Sequence, residues 1–289
     1  MLSSYHVLAL ASALCSAAAT IFIRQGLRGS DPYAGTWVNL VVGTAGLWLA
    51  VLLMDNPGRP SPQAVAFFVL AGLIGTVGGR LLRFLSIEKV GASISAALIN
   101  LSPLVSVILA IALLGEPITV PTGVGTLVIV AGAVLLSAGG RQIGYRRWQL
   151  TLPVLSAVCF GVVAILRKLG LGGAGAVMGS AINVTAALIA FTTLLVASGR
   201  RDAMVCRGRS LGYFVAAGVA ENAGVFMNVV ALGTGMVSVV VPLYATSPVF
   251  TLLLSFFFLR GLETLTGRII AGTLLIVAGV YLITALSGW

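Results

Sequence analysis

GTLVIVAG at 125–132 and GTLLIVAG at 272–279 are nearly the same eight residues, separated by half the chain. They differ only at Val128 against Leu275. Such residues offer little chemistry, so their recurrence points to duplication rather than to a site. A shift of 147 lays Gly125 on Gly272 and Glu116 on Glu263, and a shift of 145 lays Ser102-Pro103 on Ser247-Pro248. A shift of 144 lays SALC at 12–15 on SAVC at 156–159, Arg24 on Lys168, Gly26 on Gly170 and Asn39 on Asn183. The offset drifts by three residues over the chain, so the duplication covers essentially all of it.

The composition names the solvent. The chain is 59% hydrophobic and 8% charged, with a mean hydropathy of +1.11. A water-facing domain carries about a quarter charged residues. Ten apolar runs approach the ~20 residues needed to span a bilayer as helix. They lie at roughly 5–24, 34–53, 64–86, 91–114, 121–138, 149–168, 174–198, 210–232, 236–259 and 266–286. Their continuity excludes the alternating strands of a barrel. The first run lacks a basic leader and continues to Ile23, which reads as a retained helix and not a cleaved signal. The expectation is an all-α integral membrane protein with ten transmembrane helices, multi-pass, in the inner (plasma) membrane if bacterial.

Five spans per copy is an odd number, so the second copy enters the membrane from the opposite side. The predicted layout is a first repeat at 1–140, a short basic linker at 141–149 and a second repeat at 150–289. Inverted repeats are a recurrent plan of secondary transporters, with the solute site near the midplane between the halves. Exchange of two packings between the halves would then give alternating access.

The stretches ALINLSPLVSVILAIALLGEPIT at 97–119 and LYATSPVFTLLLSFFFLRGLETLT at 243–266 each precede one of the repeated octapeptides. Each has an early Pro and a Glu before a short turn. In this the chain resembles the EamA-type branch of the drug/metabolite transporter superfamily over nearly its full length. The resemblance implies ten helices, with a cavity lined by spans 1–4 and 6–9 and with spans 5 and 10 peripheral. It also implies cytoplasmic termini. The charges disagree: thirteen Lys/Arg, among them Arg28, Arg141 and Arg260, fall on one face, against Arg59, Arg167 and Lys168 on the other. The positive-inside rule therefore puts both termini outside.

Charges inside spans are scarce and costly, so they mark candidate sites. Arg80 and Arg83 in span 3 share a helix face and suit a carboxylate or phosphate; the alternative is snorkelling to the interface. Glu221 lies half way along span 8. It is a candidate for proton coupling, for binding a substrate ammonium, or for a fixed ion pair with Arg80. Asn39, Asn183, Asn100, Asn222, Asn228 and Tyr244 are polar groups at depth. They would bind substrate or, equally, a neighbouring helix, at about 0.6 kcal/mol each. Pro103 and Pro248 fall at matching places inside spans 4 and 9 and would act as paired kinks for gating, or as ordinary membrane-helix prolines. Glu116 and Glu263 read as structural acids near helix starts.

Other chemistry has little support. GGAGAVMG at 172–179 follows no strand and reads as a turn with close helix packing. No Walker motif, HExxH or Cys/His cluster occurs, so neither a metal nor another cofactor is expected and the chain does not read as an enzyme. The net charge of +10 has no aromatic interleaving and points to lipid headgroups, not nucleic acid. The expected function is non-ATP transport of a small polar metabolite, with an anion or an amino acid as candidates and protons as a candidate coupling ion. The alternative is a flippase for a lipid-linked phosphate or other anionic lipid. Monomer and homodimer both remain open.

Overall fold

The computed structural model describes residues 3–53, 58–90, 98–137, 146–258 and 267–285, and these are helical with no strand. Glu263, Arg141 and Arg260 lie outside the described residues. Helix α1 is Ser4–Gly26 and α2 is Pro32–Leu52, which starts with Pro at its first turn and Asp31 accepting from the Tyr33 N–H. Helix α3, Pro62–Ala71, starts the same way, with the Ser61 hydroxyl accepting from Ala64 N–H. It passes through a π-helical stretch, Gly72–Gly79, into α4, Arg80–Val90. Helix α5 is Ser102–Leu109, extended by a π turn at Ala110–Leu114, and α6 is Val120–Ser137.

The second half repeats the order. Helix α7 is Thr151–Gly170, α8 is Ala176–Ala197 and α9 is Gly208–Thr234. Helices α10, Val237–Tyr244, and α11, Ser247–Phe258, follow as a broken pair, and α12 is Gly267–Ala285. Among the described residues, six spans are long and apolar enough to cross a membrane: Ser4–Gly26, Pro32–Leu52, Pro62–Arg83, Trp148–Gly170, Ala176–Ala197 and Gly208–Thr234. Four shorter apolar segments accompany them, Ser102–Leu114, Val120–Leu135, Val237–Thr251 and Ala271–Thr284. They keep one apolar face open and pack the other: in α12 Leu274 is 64% exposed, whereas Ile276 is 2% exposed. The chain is an integral, multi-pass membrane protein.

Spans 4 and 9 differ from the sequence expectation. Pro103 sits at the first turn of α5, after a turn at 100–101, and Pro248 is the second residue of α11, after a turn at 245–246. Both prolines start helices after a break and do not kink a continuous one. Proline fits the first turn because its missing N–H would have no partner there. Among the described residues, a proline does fall inside a helix at Pro242, in α10.

The duplication is visible in side-chain contacts. Ser12 Oγ donates to Gly224 O at 2.7 Å, and its mate Ser156 donates to Gly79 O at 2.8 Å. Phe214 packs on Gly26 and Gly35, and Phe68 packs on their mates Gly170 and Gly179. Both rings are almost wholly buried.

The repeated octapeptides meet each other. A Cβ on Gly132 would stand 2.7 Å from Gly272 O, and one on Gly279 would stand 2.7 Å from Gly125 O. Gly125 thus opposes Gly279 while Gly132 opposes Gly272, so α6 and α12 run antiparallel with backbone against backbone. Equivalent helices that cross in opposite directions are what inversion requires. The absent side chains permit this approach, which is how helices gain contact where lipid offers no hydrophobic drive.

Candidate functional site

A narrow cavity opens beside the α1–α2 turn. Ile23, Leu27, Pro32, Gly35 and Thr36 form its outer walls with Phe214, and Asn39, Arg80 and Glu221 close its inner end. By chain order, this mouth is on the face where the basic connections gather.

Local sequence builds that inner end. Four glycines fall in GLIGTVGG at 72–79 and leave bare backbone toward α7 and α8. A Cβ on Gly75 would meet Val163 at 2.5 Å, and one on Gly79 would meet Phe160 at 3.1 Å. The wider π turn closes on this approach, and π segments often mark functional places in helices. Arg80 is the first residue after it.

Arg80 Nη2 lies 3.0 Å from Glu221 Oε1, with the two side chains 12% and 14% exposed. Asn39 bridges the pair: its Oδ1 accepts from Arg80 Nη1 at 2.9 Å and its Nδ2 donates to Glu221 Oε2 at 2.9 Å. Only this amide orientation gives each partner what it needs. Asn222 Nδ2 donates to Asn39 O, Asn39 Oδ1 and Gly218 O. Four candidates named from sequence therefore form one network from spans 2, 3 and 8.

A second cluster lies in the other half. Sequence alone counts Arg167 and Lys168 among the charges of the opposite face, but the structure draws both inward. Arg167 donates to Asn183 Oδ1 from Nε at 3.2 Å and Nη2 at 3.1 Å. Asn39 and Asn183, mates in the repeat, thus each accept from an arginine. No carboxylate ion-pairs with Arg167 among the described residues. A charge without a counter-ion in a span costs about 2.5–3.5 kcal/mol on insertion scales, so the fold spends energy to hold it. The Tyr244 hydroxyl, at the end of α10, donates to Ser16 Oγ at 3.0 Å.

Lys168 Nζ donates to Leu232 O and Gly235 O, both at 2.7 Å, and so caps the C-terminus of α9. Glu116 accepts from Val237 N, Ser238 N and Ser238 Oγ at 2.8–3.0 Å. It caps α10, in the opposite half, and not the helix that follows it in sequence. The remaining candidates stand apart from these networks. Arg83 is half-buried one turn beyond Arg80, Asn100 lies in the turn before α5, and Asn228 is buried with its Nδ2 unpartnered among the described residues. Pro103 is buried away from the cavity lining.

A helical membrane protein of two inverted repeats, with a cavity leading to charged groups in its interior, has the build of a transporter. The EamA-like transporter family matches the chain twice, over residues 3–138 and 147–285. The chain belongs to that family, within the drug/metabolite transporter superfamily, whose members are transporters rather than enzymes. Among curated protein sequences nothing matches. One crystal structure, described only as that of a protein, shares the fold with a TM-score of 0.83. It is 18% identical, over 99% of this chain and 98% of its own.

Proposed function

We propose that the protein is a secondary transporter that moves a small polar metabolite by alternating access, without ATP. The observation that carries this reading is the cavity that ends on the Asn39–Arg80–Glu221 network inside an inverted duplication. Inversion gives the two halves equivalent packings to exchange. The breaks before Pro103 and Pro248 fall at matching places, where each half can bend with little loss of helix hydrogen bonding.

The experiment is uptake into vesicles reconstituted with the purified chain, with amino acids, organic anions, sugar phosphates and organic cations as solutes, at several pH values. Saturable uptake of one class, absent from empty vesicles, is expected. No uptake of any class, with scrambling of a labelled anionic lipid instead, would replace this reading with the flippase. Uptake by Glu221→Gln with the pH dependence of the wild type would remove a proton role for that carboxylate.

A further inference from the structure

Among the described residues, Arg80 and Arg167 at depth share one ion-paired carboxylate, Glu221. Arg80 is matched by Glu221, but Arg167 has only the Asn183 amide oxygen among the described residues. Arg167 is half-buried, so part of its guanidinium stays open. Arg80 and Tyr244 lie within electrostatic reach of it. Its bonds to Asn183 occupy the Nε hydrogen and one on Nη2. Two hydrogens on Nη1 and one on Nη2 remain, an edge that fits the two oxygens of a carboxylate.

The repeat says what this position faces. Asn183 is the mate of Asn39, and Arg167 is the mate of Ile23 under the same shift of 144. Ile23 and Asn39 both line the open cavity. By the repeat, Arg167 and Asn183 hold in the second half the positions that line the cavity in the first.

We infer that Arg167, oriented by Asn183, binds the anionic group of the transported solute, and that this solute carries one net negative charge on a carboxylate. Arg80, Glu221 and Arg167 together leave one positive charge, which a monoanion cancels. A phosphate near its second ionisation would overshoot it. This inference rests on the transport reading above and adds the substrate class.

The test uses the full chain purified in detergent, at constant ionic strength. Thermal unfolding is followed with acetate, pyruvate and benzoate, against acetamide, benzamide and inorganic phosphate. The carboxylates raise the melting temperature and the amides do not. Arg167→Gln weakens the apparent carboxylate affinity about tenfold or more, as expected on loss of a charge-assisted pair. Arg167→Lys, which keeps the charge, stays within that range, and Arg201→Gln, an exposed charge, changes nothing. The inference is overturned if no carboxylate stabilises the wild type, if amides or phosphate do so equally, or if Arg167→Gln binds as the wild type does. Vesicle uptake separates the two readings. Uptake of a neutral or cationic solute, undiminished in Arg167→Gln, keeps transport and overturns the anion site. Arginine-dependent carboxylate binding without any uptake keeps the anion site and removes transport.

Discussion

Replacing Glu221 by Gln leaves Arg80 buried with no anion. At 3.0 Å and an effective dielectric of about 20, the pair interacts by about 5 kcal/mol. Much of this offsets the desolvation of two groups that are 12% and 14% exposed. The net worth of the pair is therefore small, but the cost of breaking it is not: removing one partner of a buried pair costs about 3–5 kcal/mol. Asn39 aggravates the loss, because its Nδ2 then faces an amide in place of a carboxylate. Arg80→Gln should cost a similar amount, through a lone carboxylate. The double variant Arg80→Gln/Glu221→Gln should cost less than either single one, since no charge is stranded. The assay is reversible unfolding of the four proteins in mixed micelles, read as a double-mutant cycle. Costs that simply add in the double variant would refute the argument and show two groups that are independently solvated.

Three further substitutions test the scaffold. Gly132→Ala puts a methyl group against the Gly272 carbonyl and should cost about 1–3 kcal/mol in the same unfolding assay, whereas Gly123→Ala, whose nearest neighbour is 3.6 Å away, should be silent. Phe68→Ala and Phe214→Ala should each cost about 3–5 kcal/mol and by similar amounts, since both rings fill equivalent glycine-lined seats; a silent variant of either would break the equivalence. Glu116→Gln keeps one acceptor oxygen where three donors converge, and should lower stability by about 1–2 kcal/mol. An unchanged melting temperature would mean that α10 does not depend on that cap.

The fold was legible because duplication leaves marks that survive drift. Glycines must stay where backbones touch, so Gly26 with Gly170 and Gly125 with Gly272 kept the register readable. Glu221 and Arg80 were legible as charges out of place in apolar runs. Arg167 was not. It stands beside Lys168 at a helix end, where paired basic residues ordinarily reach for water, and the repeat lays it on the apolar Ile23. The partners of Glu116 were hidden for another reason: 121 residues separate it from Val237, and no local pattern records that span. The breaks at 100–101 and 245–246 were misread because Pro inside an apolar run looks alike at a kink and at a helix start. Pro242, in the same run as Pro248, shows that position in sequence alone does not tell the two apart.

The seam between α6 and α12 has a property that no other contact described here shares. It is its own image: Gly125 against Gly279 becomes Gly132 against Gly272 when the halves trade roles. In the exchange proposed above, the seam would be the same before and after, and could serve as a pivot. Tightening or loosening it would then raise or lower both end states together. Directional bias would come from elsewhere, from side chains that lack a counterpart, such as Arg80, Glu221 and Arg167. The scaffold would govern how readily the protein turns over, and three unpaired letters of the repeat would govern which way it rests.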